Sequence, residues 1–207
     1  MITVTSILEC EKYLESTDAV IFDLDDTLYS EKDYVRSGYV AVSKAFPTVE
    51  NMELRLWEAF EKKLPAIDCV FTEEGLCEYK AQALAIYRAH TPDIVLYGGV
   101  EELLRRLSGS KKMGLITDGR PEGQRAKISA LNIEQYFDKI IITDELGGAQ
   151  FRKPNKLAFV MMQNALNIPF GRMVYIGDNL NKDFIAPQAF GMQVVHFNNP
   201  NGLYRSL

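Results

Sequence analysis

The sequence predicts an α/β protein: a doubly wound parallel sheet carrying an inserted all-α subdomain. Three observations predict it. Five apolar runs recur along the 207 residues, most of them apolar at consecutive positions, as parallel strands covered on both faces require. Helical patterns lie between the later runs, and strands alternating with helices build parallel, doubly wound sheets. The first two runs end at 24 and 117, 93 residues apart, whereas the later ends follow at intervals of 20 to 34. The excess of roughly 60 residues over an ordinary βα unit marks an insertion.

The runs in order are "AVIFDL" (19–24), "KMGLIT" (112–117), "KIIIT" (139–143), "MVYIG" (173–177) and "QVVHF" (193–197). Between them, "EGQRAKISALN" (122–132) sets Ile128 and Leu131 at helical spacing, and "NKLAFVMMQNALN" (155–167) opens on Asn155 as its N-cap. The insertion reads as helical. "SEKDYVRSGYVAVSKAF" (30–46) starts with a Ser30–Asp33 capping box. "NMELRLWEAFEKKL" (51–64) and "TEEGLCEYKAQALAIYRAH" (72–90) follow, with Pro47, Pro65 and Pro92 in the breaks. Leu54, Trp57 and Phe60 share one helical face, and Leu76, Tyr79 and Ala83 another. The chain returns through "YGGV" (97–100). The expected organisation is a sheet domain of 1–29 and 96–207 and a helical subdomain of 30–95.

Composition excludes several classes. Hydrophobic residues make up 47% and charged residues 25%, ordinary for a globular protein. A net charge of −5 argues against a general binder of nucleic acid or anionic membranes, which needs a basic face. No apolar run approaches membrane-spanning length. The segment "MITVTSILECEKYLES" has no basic stretch leading into an apolar core and is not expected to be a signal peptide. Cys10, Cys69 and Cys77 are odd in number and lack zinc spacing. Buried or half-buried reduced thiols, and a cytoplasmic location, are the expectation.

The chemistry gathers at strand ends, where open α/β sheets bind ligands. "DLDDT" (23–27) sets Asp23, Asp25 and Asp26 at the end of the first run. "ITDG" puts Thr117 and Asp118 at the same edge. "GDNLNKD" (177–183) adds Asp178 and Asp183, and Lys153 of "FRKP" falls in the loop after the third run. Like charges this close resist joint burial. Asp23, Asp25, Asp178 and Asp183 against Lys153 leave a charge of −3, which repels a phosphate dianion. One hard divalent cation and one protonated carboxyl bring it to neutrality, and Mg²⁺ suits a few carboxylates completed by phosphate oxygen and water. The set therefore calls for a metal, a phosphate and a proton-holding acid.

Four segments in order resemble the haloacid dehalogenase-like hydrolases, a superfamily dominated by phosphatases. "DLDDT" resembles the first motif, DxDxT; "LITDG" the second; Lys153 in "RKP" the third; "GDNLNKD" the fourth, GDxxxxD. The resemblance covers about residues 18–197. It implies a Rossmann-like core with a helical C1-type cap, and a Mg²⁺-dependent phosphomonoesterase acting on a small phosphorylated metabolite. Asp23 would attack phosphorus and form an aspartyl-phosphate. Asp25 would protonate the leaving oxygen and then activate water, its backbone carbonyl also binding Mg²⁺. Thr117 and Lys153 would hold the transferring phosphoryl group. Asp23, Asp178 and Asp183 complete the implied metal set, Asp183 directly or through water. Backbone N–H groups near Leu24, Asp25 and Asp118 would cradle phosphate oxygens.

Rival readings share the fold or part of the chemistry. A dehalogenase does not need an acid at Asp25, because halide leaves without a proton. A phosphomutase returns the phosphoryl group to a substrate, and a phosphonatase adds an imine-forming cap lysine, for which Lys32 and Lys44 are available. Receiver domains and a catalytically retired binding module are the non-enzyme alternatives. An EF-hand starting at Asp23 fails, since position 6 is Leu28 and position 12 is Tyr34. Asp26 reads as a turn residue, and Asp118 as a contributor of backbone and a local cap. His90 and His196 read as surface or packing residues. Tyr29 and Tyr34 face either substrate or a packing interface between cap and core. The substrate's identity, its selecting cap residues and the oligomeric state are not encoded in these motifs.

Overall fold

The computed structural model describes residues 1–203. Six parallel strands form one sheet in the order β1-β6-β5-β2-β3-β4: β1 (Ile2–Val4), β2 (Ala19–Phe22), β3 (Lys112–Thr117), β4 (Lys139–Ile142), β5 (Met173–Gly177) and β6 (Gln193–Phe197). The five apolar runs are all strands, three with the bounds read from sequence. The first ends at Phe22 and the third at Ile142, each giving way to the loop that carries polar residues. β1 is a three-residue strand paired to β6 through Ile2–Val195 and Val4–Phe197, too short to show a period in sequence.

β2 occupies the centre. Phe22 lies in register with Leu115 of β3 and Ile176 of β5, so the loops after these three strands leave side by side. The chain runs outward from β2 through β3 and β4 on one side and through β5 and β6 on the other. That reversal opens a crevice at the carboxyl ends.

Two units make up the chain, Met1–Glu31 with Val95–Leu207, and Lys32–Ile94. In the sheet unit, Ile21, Tyr175 and Val194 pack under Phe159 and Met162 of α7 (Leu157–Leu166). Helix α5 (Val100–Ser108) buries Val100, Leu103, Leu104 and Leu107, an i, i+3, i+4, i+7 stripe. The sequence reading takes 97–100 only as a connection; it runs on into this helix. α6 (Pro121–Ala130) starts on Pro121 at N1, where the missing N–H costs nothing. α8 (Ile185–Ala189) is a short helix before β6. The N-cap of α7 is Lys156, one residue past the Asn155 expected there, although Asn155 Oδ1 accepts the Leu157 N–H at 2.9 Å.

The inserted unit contains α1 (Glu31–Ala45, whose first residue belongs to the sheet unit), α2 (Met52–Glu61), α3 (Ala66–Glu73) and α4 (Lys80–Ala89). The 72–90 segment is not one helix. It breaks at Gly75, whose φ of +70° favours glycine, and α3 ahead of it, with Pro65 as N-cap, is an element the sequence reading lacks. The buried stripe of α2 is Met52, Leu56 and Ala59, with Trp57 and Phe60 flanking it, while Leu54 faces solvent. The expected Leu54–Trp57–Phe60 face is thus rotated. Ala83 is buried and Leu76 half-buried, but Tyr79 is exposed. Tyr34 packs against Tyr87 and His90 within this unit. Cys10 is buried, Cys69 half-buried and Cys77 exposed, all three free; the exposure of Cys77 departs from the expectation. No helix among the described residues is long and apolar enough to cross a membrane.

Within the sheet unit the outgoing and returning strands are stitched together. The Tyr97 N–H donates to Leu28 O at 3.0 Å, and Tyr29 pairs with Leu96. Asp26 anchors the turn between. It is buried, with φ +53°; its Oδ1 accepts the Glu31 N–H at 2.9 Å and its Oδ2 the Leu203 N–H at 2.7 Å. The carboxylate engaging the first turn of α1 is therefore that of Asp26, and the turn role read for it holds. Asp26→Ala should lower stability by about 2 kcal/mol, from two part-buried donors left unmet and a left-handed alanine. Asp26→Gly should recover about 1 kcal/mol of that. Urea unfolding checks both, and equal midpoints for the two variants would remove the backbone part of this account.

Candidate active site

The loops after β2, β3 and β5 and the segment before α7 converge beyond the carboxyl edge. Asp23, Asp178 and Asp183 are buried, and one carboxylate oxygen from each lies within 4.8 Å of the others. Gly177 permits this approach: a Cβ there would meet Asp183 Oδ2 at 2.5 Å. The Asn179 N–H holds Asp183 Oδ2 at 2.9 Å. Lys153 enters from the opposite wall, its Nζ 2.5 Å from Asp23 Oδ1 and 2.8 Å from Asp183 Oδ1, and it also donates to Tyr175 Oη at 2.9 Å.

The electrostatics follow from burial. It pushes the Asp23 carboxyl up to about 7, with Asp183 and Asp25 adding and Lys153 opposing. Asp178 rises to about 9, through burial and then the charges of Asp23 and Asp183. Burial works against the Lys153 ammonium, but Asp183 and Asp23 outweigh it and hold its pKa well above the usual lysine range. An all-oxygen, buried carboxylate trio with depleted positive charge is the donor set of a hard divalent cation, and these residues fit one.

Asp25 stands outside the trio. Its Oδ1 accepts from Lys127 Nζ at 2.7 Å and from Tyr29 Oη at 2.5 Å, and its Oδ2 from Gln124 Nε2 at 2.9 Å. Burial alone would raise its pKa; Lys127, Tyr29 and Gln124 together bring it below the ordinary aspartate value. Thr117 Oγ1 accepts from the same Gln124 amide and keeps its own O–H to donate. Asp118 Oδ1 accepts from Thr143 Oγ1 at 2.9 Å and the Lys153 N–H at 3.0 Å, and Oδ2 from Lys182 Nζ at 3.1 Å. Its carboxylate is thus committed to tying loops together, leaving its backbone for any ligand. His196 is buried, with Nε2 3.1 Å from the Asp178 carbonyl.

A cavity of about 430 Å³ opens here, lined only by polar, charged or glycine residues. Asp23, Asp25, Glu31, Asp118 and Asp178 line it with Asp183 behind, against the cationic side chains of Lys127, Arg152, Lys153 and Lys182. With every group ionised the deficit is two positive charges. The sequence count of three comes from a smaller set, which lacks Asp118 and Glu31 on one side and Lys127, Arg152 and Lys182 on the other.

The structure brings together every residue read from the motifs: Asp23, Asp25, Thr117, Asp118, Lys153, Asp178 and Asp183. The reading missed Gln124, Lys127, Tyr175, Lys182 and Glu31. Three of these leave a sequence signal. Gln124 and Lys127 extend the Ile128–Leu131 face back by one turn, so they are polar residues on a buried stripe. Tyr175 sits inside a fully buried strand, where its hydroxyl needs a partner. Tyr29 is fully buried with its hydroxyl on Asp25, a role neither of its expected placements describes.

A parallel sheet that gathers carboxylates, a hydroxyl and a buried ammonium beyond one edge defines an α/β enzyme built for anionic substrates. The chain belongs to the haloacid dehalogenase-like hydrolases, whose family model matches residues 17–191. Its sequence is 24% identical over 196 residues to the glyceraldehyde 3-phosphate phosphatase of Methanocaldococcus jannaschii, covering 85% of this chain and 82% of that protein. It is 26% identical over 216 residues to human N-acylneuraminate-9-phosphatase, covering 92% and 86%. Among solved structures it resembles a subfamily IA hydrolase from Geobacter sulfurreducens at TM-score 0.71, with 17% identity and 89% of each chain covered. It also resembles the magnesium-bound hydrolase YfnB of Bacillus subtilis at TM-score 0.63, with 19% identity over 86% and 85%.

Proposed function

We propose that the protein is a Mg²⁺-dependent phosphatase that hydrolyses a small, hydrophilic phosphate monoester through an aspartyl-phosphate. The observation that carries this reading is the division of labour between two neighbouring aspartates. Asp23 lies in the carboxylate trio beside Lys153, while Asp25 lies in a separate hydrogen-bond network. Asp23 is the nucleophile: its carboxylate oxygen bonds to phosphorus as the ester P–O bond breaks. Asp25 gives the leaving oxygen its proton, then takes one from the water that attacks the acyl phosphate. That attack breaks the bond to Asp23, releases inorganic phosphate and restores both carboxyl groups. Lys153 and the Thr117 hydroxyl hold the phosphoryl oxygens. Asp23, Asp178, Asp183 and the Asp25 carbonyl would hold Mg²⁺, which supplies charge neutralisation for the phosphoryl group.

A halide leaves without a proton, so a carboxyl kept beside the nucleophile yet outside the carboxylate trio favours a phosphate ester over a carbon–halogen bond. Relatives named as phosphatases of glyceraldehyde 3-phosphate and N-acylneuraminate 9-phosphate support a small hydrophilic substrate, as does a cavity wall without apolar side chains. The helical unit of 32–94 departs nine positions after Asp23 and is proposed as the substrate-selecting cap.

Phosphate release from a panel of phosphorylated metabolites, with Mg²⁺ and after chelation, tests the reading; full activity in excess chelator would sink it. A second expectation concerns pH. A carboxyl whose folded pKa is raised stabilises the fold below the unfolded value near 4, and that stability is lost as pH climbs through the folded value. The metal-free protein should therefore weaken from about pH 4 upward, through the values near 7 for Asp23 and 9 for Asp178. Mg²⁺ competes with those protons. Its addition should raise Tm more at pH 8 than at pH 6, and an equal shift at both would contradict the assignment of these carboxylates as ligands.

A further inference from the structure

We propose that Lys127 and Gln124 are positioning residues for the acid–base step, and that they select Asp25 Oδ2 as the oxygen that exchanges the proton. The proposal rests on the phosphatase reading above and adds two residues outside its four motifs.

Both side chains come from α6, three positions apart and on one face, and both are buried. An ionised carboxylate offers about four lone-pair sites, two per oxygen. Lys127 Nζ and Tyr29 Oη fill both sites on Oδ1, at 2.7 and 2.5 Å. Gln124 Nε2 fills one on Oδ2, at 2.9 Å. One lone pair remains, on Oδ2. The second N–H of the Gln124 amide goes to Thr117 Oγ1, so a single planar group spans the phosphoryl-binding hydroxyl and the proton-carrying carboxyl. The spacing between those two functions is then fixed by α6 and does not depend on the loop that bears Asp25.

The cost of Lys127 argues in the same direction. It occupies a position of α6 that an apolar residue would fill, next to Ile128 on the buried stripe. A buried ion pair seldom stabilises more than a well-packed apolar side chain of similar volume. A structural role gives little reason to keep an ammonium there, whereas holding one rotamer of Asp25 does.

The test uses the full chain with Mg²⁺, an alkyl phosphate it hydrolyses and 4-nitrophenyl phosphate. Lys127→Met should lower kcat/KM on the alkyl ester by ~10–100-fold and on the aryl ester by less than ~3-fold. That parameter reports steps up to transfer of the phosphoryl group, and only the alkoxide needs a well-placed proton. Lys127→Arg should recover part of the loss; Lys127→Met leaves the Asp25 carboxylate buried without its cation and should lower Tm, so the kinetics are read well below its melting temperature. In an Asp25→Asn background Lys127→Met should cost less than ~2-fold more, because the group it positions is already disabled. Gln124→Met also frees Thr117 and should slow both esters, but its further loss on the alkyl ester should likewise vanish in the Asp25→Asn background, so the test stands if one variant does not fold. Equal losses on both esters, or losses that multiply with Asp25→Asn, would overturn the proposal, as would an unchanged kcat/KM. A wild type that releases no phosphate overturns the underlying reading as well; a working wild type with an indifferent Lys127→Met overturns this inference alone.

Discussion

Asp23→Asn should stop turnover, with a loss of about 10⁴-fold or more, the scale seen when a covalent nucleophile is removed. The amide oxygen of asparagine is a poor nucleophile and carries no charge for Lys153 to hold. The change also removes one of the three carboxylates that would bind the cation. Folding should survive it. Lys153 keeps Asp183 at 2.8 Å and Tyr175 at 2.9 Å, and taking one of three crowded carboxylates out of a buried cluster relieves like-charge repulsion. Tm of the metal-free variant should therefore match or exceed that of the wild type, most clearly above pH 7, where the native Asp23 would ionise. Loss of activity with a raised Tm is a pattern that ordinary misfolding does not produce. Phosphate release and melting curves on one preparation read both halves. Residual turnover within 10-fold of wild type would place the nucleophile elsewhere.

The same residues explain what the sequence could and could not reveal. Parallel strands buried on both faces write themselves as unbroken apolar runs, and a carboxylate at the end of such a run is conspicuous. Asp23, Thr117 and Asp178 were legible for that reason, and strand adjacency then brings them together without further information. Lys153 and Asp183 needed the motif spacing, because each lies in irregular chain. The network around Asp25 was not legible as a network. Tyr29 reaches Asp25 from four positions on, but Gln124 and Lys127 reach it across about 100 residues of sequence. Only the tertiary placement of α6 at the site creates that contact. The helical unit shows a different limit. Its helices are short and polar on wide faces, so Leu54 looked like core while Leu56 is. Gly75 splits a segment whose composition alone reads as one helix.

Asp25→Asn should separate the two chemical steps. The substitution keeps the nucleophile, the ammonium of Lys153 and the carboxylate trio, and removes only proton transfer, worth typically ~10²–10⁴-fold. It also disturbs the site in a defined way. An asparagine that turns its oxygen toward Lys127 and Tyr29 points its NH₂ at the Gln124 amide, donor against donor, so the bond now at 2.9 Å on Oδ2 is lost. Alkyl phosphates should then stall at the first step, because a poor alkoxide must be protonated as it leaves. An aryl phosphate with an acidic phenol needs little help and should still transfer its phosphoryl group to Asp23. Water attack on the acyl phosphate needs the missing base. A burst of phenol approaching one equivalent per site should precede slow turnover, and mass spectrometry of acid-quenched protein should find the phosphoryl group on the peptide containing Asp23. Equal impairment on aryl and alkyl esters without a burst would deny Asp25 the acid–base role. Phosphoryl label on a different peptide would deny Asp23 the nucleophilic one. A burst on the aryl ester alone is the outcome that requires both assignments together, since the acid governs which substrates enter the intermediate and the base governs how it is left.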